Sequence, residues 1–184
     1  MYNKLSHLEL EIGIDKEHAT AIGYFLMAFS FLEDNLNRSI WAVLGLSPTK
    51  DSSGSILTTT VRDFGQRMLL LAKLGKERLS DQKNRDDCAK VIKAIQFIND
   101  QRVNLVHGVF TAYNSKDSTS YLSRTQPDRT AVRHLSYMFT TDYLCELAEF
   151  TMETTGAVVG FRQNLQSGTD HALPSLDKRP EPPR

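Results

Sequence analysis

Residues 82–108 read QKNRDDCAKVIKAIQFINDQRVNLVHG, and this stretch decides the fold. Cys88, Val91, Ile92, Ile95, Ile98, Arg102 and Val106 recur three and four residues apart. That spacing marks one face of a helix, not the alternating face of a strand. Ser80 or Asp81 can cap the start. His107 and Gly108 close the end, a basic ring near the last carbonyls followed by glycine.

Outward from this stretch the chain supplies helical partners. Residues 16–45 read as a long helix, with Asp15 as N-cap, Gly45 at C′ and apolar positions at Ile22, Phe25, Leu26, Phe29, Leu36, Ile40, Val43 and Leu44. The Ser-, Gly- and Pro-containing run LSPTKDSSGS reads as a loop. Residues 61–79 read as the next helix, with Thr60 as cap, Asp63 as an acidic variant of the capping box, and Phe64, Met68, Leu71 and Leu74 on the apolar face. Gly75 weakens its end.

After Gly108 the pattern changes. Val109–Tyr113, Ser120–Ser123 and Ala131–Phe139 are short, β-prone and separated by turn residues. A last helix follows over 142–166, capped by Thr140 or Thr141, with Leu144, Leu147, Phe150, Met152, Val158 and Val159 as apolar positions. The expected fold is mainly α: a four-to-five-helix bundle with a small β-hairpin or extended insertion before the last helix. Residues 1–15 form an N-terminal arm and 16–167 the helical domain. Residues 168–184, GTDHALPSLDKRPEPPR, form a polar, Pro-rich tail expected to be disordered.

Composition narrows the function. The 184 residues carry 22 Lys+Arg and 22 Asp+Glu, so no global charge drives the chain onto nucleic acid or an acidic membrane. No apolar run approaches the roughly 18 residues of a membrane span, and no secretory signal is visible at the start. Cys88 and Cys145 form no C-x-x-C pair, which implies neither a zinc site nor a disulfide framework and points to the cytoplasm. No acidic cluster with metal-ligand spacing, H-E-x-x-H, P-loop or G-x-G-x-x-G occurs, so neither a metal nor a cofactor is expected.

Polar residues on apolar stripes are the informative exceptions. At about 100° per residue, Glu33 lies about 40° from Phe29 and about 60° from Leu36, inside the stripe of the first helix. A carboxylate there needs a partner. Asn37 lies at the edge of that stripe. Arg102 occupies the core face of 82–107, with Asn99 one turn earlier, and facing helices would pair Glu33 with Arg102. His107 follows Arg102 by five residues, about 140° round and about 7.5 Å along the axis, so the two can border one cleft. The same Arg-x4-His spacing recurs at Arg129 and His134. That segment reads as extended, where five steps put the pair on opposite faces, so it is the decoy.

QRVNLVHG at the end of a long amphipathic helix, within a helical bundle, resembles the HEPN superfamily, whose signature is Arg, four to six residues, then His near the end of a bundle helix. FSFLEDNLNRSIW (residues 29–41) is similar to the first helix of such proteins, inward acidic residue included. The family usually places a polar residue directly after the arginine. Here that residue is Val103, and the polar Asn104 follows.

The resemblance implies a metal-independent endoribonuclease with a composite cleft at a homodimer interface, and a toxin or anti-phage role. It implies His107 as general acid or base and Arg102 on the scissile phosphate, with 2′,3′-cyclic phosphate and 5′-hydroxyl ends as products. Glu33 would then position Arg102 or His107, and Asn104 and Asn99 would contact phosphate or ribose. RNA is the implied substrate, and an antitoxin or regulatory protein a further partner.

The competing expectation is a non-catalytic helical module that binds a protein partner or a nucleotide. Lys73–Lys93 holds seven Lys/Arg against four Asp/Glu, an excess that fits a solvated face or an RNA contact. Tyr113 and Tyr121 are placed either to pack the hairpin or to stack on bases.

Overall fold

The computed structural model describes residues 14–46, 53–61, 63–127, 132–167 and 172–183. It is mainly helical, with a small antiparallel sheet before the last helix. In chain order the elements are α1 (Lys16–Val43), α2 (Ser53–Thr60), α3 (Phe64–Arg78), α4 (Gln82–His107), β1 (Val109–Asn114), β2 (Thr119–Pro127), β3 (Val132–Thr140) and α5 (Thr141–Ser167).

Local chemistry sets the helix ends. Asp15 caps α1 by accepting from the His18 N–H at 2.7 Å. Gly45, with φ +70°, ends it in a Schellman arrangement: Leu46 N donates to Trp41 O at 2.8 Å and Gly45 N to Ala42 O at 3.0 Å. The cap of α3 is Asp63, which accepts from Gln66 N at 2.8 Å. Thr60, the expected cap, is instead the last residue of α2, and its hydroxyl donates to Ile56 O at 2.8 Å. Asp81 caps α4 through Asn84 N at 2.8 Å, and Thr140 caps α5 through Tyr143 N at 3.1 Å.

The chain divides into two compact units, Met1–Met27 with Asp100–Glu149 and Pro180–Arg184, and Ala28–Asn99 with Phe150–Arg179. Among the described residues, the second unit contains helices, their short connections and the irregular segment 172–179. Phe29 of α1 packs on Phe64 of α3, with ring centroids 4.7 Å apart. Gly75 of α3 meets Cys88 of α4. Phe97 of α4 meets Phe150 of α5 edge-on at 5.9 Å, and Arg162 of α5 donates to Asn35 of α1 at 3.1 Å. These contacts run from α1 through α3, α4 and α5 back to α1. Fully buried Leu32, Leu36, Ile40, Leu71, Val91, Ile95, Ile98 and Val158 fill the space between.

The first unit contains the sheet, ordered β1-β2-β3 and antiparallel throughout. It is a three-stranded meander where the sequence suggested a hairpin. Leu122 and Phe139 are buried on its inner face. A bulge at Thr111 shifts the β1–β2 register between Phe110 and Ala112, and the Thr111 hydroxyl compensates by donating to Tyr121 O at 2.9 Å.

Several expectations shift. Leu26, Val106 and Met152 lie outward, 37%, 43% and 50% exposed. Each sits on the flank of a stripe centred on neighbours such as Phe25, Leu105 and Thr151, which are buried. Within the run expected as loop, residues from Ser53 onward are helical, with Gly54 under the Trp41 ring; residues 47–52 lie outside the described set. The N-terminal arm lies almost wholly outside it too. Where composition suggested a disordered tail, residues 172–183 have no regular secondary structure but make contacts: Leu173 lies against Gly160 and Arg179 over Phe97.

Gly75 is required by packing. A Cβ there would stand 2.6 Å from Cys88 Sγ, and Cys88 is buried. Gly75→Ala should therefore destabilise by about 1–3 kcal/mol through overpacking. A denaturation double-mutant cycle with Cys88→Ala should recover part of that loss, and strict additivity would contradict the contact.

Candidate functional site

The end of α4 carries the motif. Arg102 and Asn104 are half-buried, Leu105 is buried, and His107, the last helical residue, is exposed. Gly108 makes the junction possible. Its N–H donates to Asn104 O at 3.0 Å, and a Cβ there would stand 2.5 Å from that oxygen and 2.9 Å from Leu122 Cδ2. Only glycine lets β2 lie this close to the helix end.

Leu122 and Arg124 are two residues apart on β2 and so share a face. Arg124 Nη1 donates to Asn104 Oδ1 at 3.4 Å. Asn104 lies one turn before His107, on the same side of the helix. Arg124 thus joins Asn104 at the end of α4, one turn from exposed His107, while Arg102 lies about 140° round the helix from His107 and about 160° from Asn104. Arg124 is not visible in the Arg-x4-His spacing. The alternation Ser120, Leu122, Arg124 along β2 is the signal that puts it on the helix-facing side.

Chemically, this end offers a solvent-facing imidazole able to transfer protons. It also offers guanidinium groups suited to phosphate oxygens and an amide able to bond either.

The other candidates lie in the second unit. Glu33 forms an ion pair with Arg67 of α3, whose Nη1 also donates to Asn37 Oδ1 at 3.0 Å. Arg67 is buried, and its guanidinium lies 6.0 Å from the Phe64 ring centroid. Glu33 and Asn37 therefore do converge, on a residue that the motif does not contain. Arg67 sits in the apolar register of Phe64, Met68 and Leu71, the cue that it points inward. Asn99 is half-buried on α4. His134 of the second Arg-x4-His spacing lies on β3, its Nδ1 3.3 Å from Thr125 Oγ1, while Arg129 lies outside the described residues.

One cluster carries no sequence signature. His18 of α1 is completely buried. Its Nδ1 lies 3.0 Å from Thr141 Oγ1 and its Nε2 3.0 Å from Ser120 Oγ. Asp15 accepts from the hydroxyls of Tyr113 and Ser118, and the Tyr113 ring tilts against His18 at 5.3 Å. Tyr113 is thus a packing residue of the sheet. A Ser–His contact can mark a nucleophile, but Ser120 and His18 are both sealed from solvent, so the pair here locks structure.

Burial holds His18 below its usual 6.5, against a partial upward pull from Asp15. The Tyr113 hydroxyl and then the His18 backbone N–H hold Asp15 below its usual 3.8. Burial raises the Cys88 thiol to about 11, which leaves it inert as a nucleophile. Among the described residues, no group of three or more His, Cys, Asp or Glu is placed to hold a metal ion, and no helix is long and apolar enough to cross a membrane.

Comparison with family models, curated proteins and solved structures finds no match to this chain.

The His18 cluster sets a pH dependence. The folded state keeps His18 neutral, so below the usual 6.5 the unfolded chain binds more protons and stability falls. A further loss follows as pH drops below the usual Asp15 value of 3.8. Urea midpoints measured from pH 8 to pH 5 should decline below about 6.5. His18→Gln should be less stable at pH 8 and should lack that part of the decline; an unchanged slope in this variant would contradict the assignment.

Proposed function

We propose that this chain is a metal-independent endoribonuclease of the HEPN type, with a HEPN-like bundle and its chemistry at the end of α4. The observation that carries the reading is the exposure of His107 at the end of α4, one turn after Asn104, which accepts from Arg124. The Arg-x4-His spacing supplies the resemblance, and the local cations supply what an overall neutral chain lacks for holding phosphate.

In this reading His107 takes the proton of the RNA 2′-hydroxyl or delivers one to the leaving 5′-oxygen. Arg102 binds the scissile phosphate and stabilises the charge that develops on it. The attacking 2′-oxygen forms a bond to phosphorus as the bond to the 5′-oxygen breaks, leaving a 2′,3′-cyclic phosphate and a 5′-hydroxyl. Arg124 fixes Asn104 and adds a second guanidinium toward the substrate backbone. The Glu33–Arg67–Asn37 cluster serves the helical packing of the second unit. Two copies of the chain would bring two such helix ends into one cleft, in the cytoplasm, and a toxin or phage-defence role follows from the resemblance.

Cleavage of mixed cellular RNA in EDTA tests this. Wild type should cleave, and His107→Ala should lose at least about a hundredfold in rate. Arg102→Ala should lose a similar factor. His107→Ala should unfold within about 0.5 kcal/mol of wild type, since the side chain is exposed. A His107→Ala protein that cleaves normally would overturn the assignment. A folded, dimeric wild type that cleaves nothing would favour the non-catalytic module that binds a partner.

A further inference from the structure

Within the second unit, α4 and the segment 172–179 border a groove of about 620 Å³. That lies in the range of small-ligand sites. One wall is the N-terminal half of α4, with exposed Lys83, Lys90 and Lys93 and buried Asp87. The other wall carries Leu173, Pro174 and Leu176 and ends at Arg179. This second wall is held in place. Leu173 Cδ2 would stand 3.0 Å from a Cβ at Gly160, and the Arg179 guanidinium lies 5.6 Å from the Phe97 ring centroid.

The charges of the groove do not cancel. Asp87 accepts from Lys83 Nζ at 3.2 Å, and Asp177 accepts from the Ser175 hydroxyl at 2.8 Å. Lys90 and Lys93 make no ion pair among the described residues. Four cations (Lys83, Lys90, Lys93, Arg179) against two carboxylates (Asp87, Asp177) leave an excess of two positive charges.

We propose that this groove binds a small phosphomonoester with a flat apolar body, of the nucleoside 5′-monophosphate class. Lys90 and Lys93 hold the phosphate. The Leu173–Leu176 wall covers the body, and the exposed face of the Arg179 guanidinium stacks on its ring. A phosphomonoester carries about −1.5 to −2 at neutral pH, which matches the excess charge. A long polyanion matches less well, because Asp87 and Asp177 interrupt the cations. The site uses neither Arg102 nor His107 and stands whether or not the chain cleaves RNA.

Calorimetric titration of the full chain with AMP tests the proposal, with inorganic phosphate and adenosine as separate arms. AMP should saturate one site, and each fragment should bind about tenfold or more weakly. Lys90→Glu/Lys93→Glu should weaken AMP by about tenfold or more, and both positions are exposed, so the fold should survive. His107→Ala should bind AMP as wild type does. Absence of saturable AMP binding would overturn the site. So would binding of inorganic phosphate as tightly as AMP, or AMP affinity in the double variant within about fivefold of wild type.

Discussion

The structure of the first unit depends on one buried imidazole. His18 stands at the start of α1, between Ser120 of β2 and Thr141 at the start of α5. A neutral imidazole offers one donor and one acceptor. The Ser120 hydroxyl also reaches Phe139 O at 3.3 Å, and the Thr141 hydroxyl also reaches Ser118 O at 3.4 Å. One of these hydroxyls must turn its proton to the ring, so ring and hydroxyls orient each other. Buried polar groups of this kind are costly when unsatisfied and specific when satisfied. A three-stranded sheet has little apolar surface to hold it, and among the described residues of the strands Leu122 and Phe139 are the buried apolar ones. The polar lock therefore fixes its register against the two helix starts. With β2 so fixed, Leu122 and Arg124 fall on the end of α4, and the candidate site follows from that placement.

Most of the helical framework was legible in the sequence because each long helix carries a 3.6-residue apolar stripe along most of its length. The limits over 82–107 agree with α4 residue for residue. The misread side chains have one physical origin. Leu26, Val106 and Met152 are apolar but lie about 80–100° from the centre of their stripes, and hydropathy alone does not distinguish the flank of a stripe from its middle. Small and polar residues fill the true centres, among them Ala28, Ser39, Thr151 and Thr154. The α2 helix was hidden because Ser, Gly and Thr dominate it, and the approach of Gly54 to the Trp41 ring is a tertiary contact with no local pattern.

The candidate site divides in the same way. Arg102, Asn104 and His107 are local to one helix, so sequence alone can nominate them as candidates. Arg124 and Arg67 reach their positions through tertiary structure, from β2 and α3, and no local pattern names their partners. Glu33 illustrates this. Its inward position on α1 correctly implied a cationic partner, but Arg67 was as well placed for that role as Arg102, and only the packing of α1 on α3 identifies it. His18 was unreadable for a further reason: the Ser120 and Thr141 hydroxyls that meet its ring come from distant elements and share no spacing with it.

The proposed cleavage of RNA at the end of α4, by attack of the 2′-hydroxyl, is tested most directly by the chemistry of the product ends. RNA fragments made by the wild-type chain should accept a 5′ label from polynucleotide kinase without prior phosphatase treatment. Their 3′ ends should resist ligation until the cyclic phosphate is opened and removed. Fragments bearing 5′-phosphate and 3′-hydroxyl ends would contradict the account, because they require attack by water at phosphorus and leave the 2′-hydroxyl without a part in the reaction.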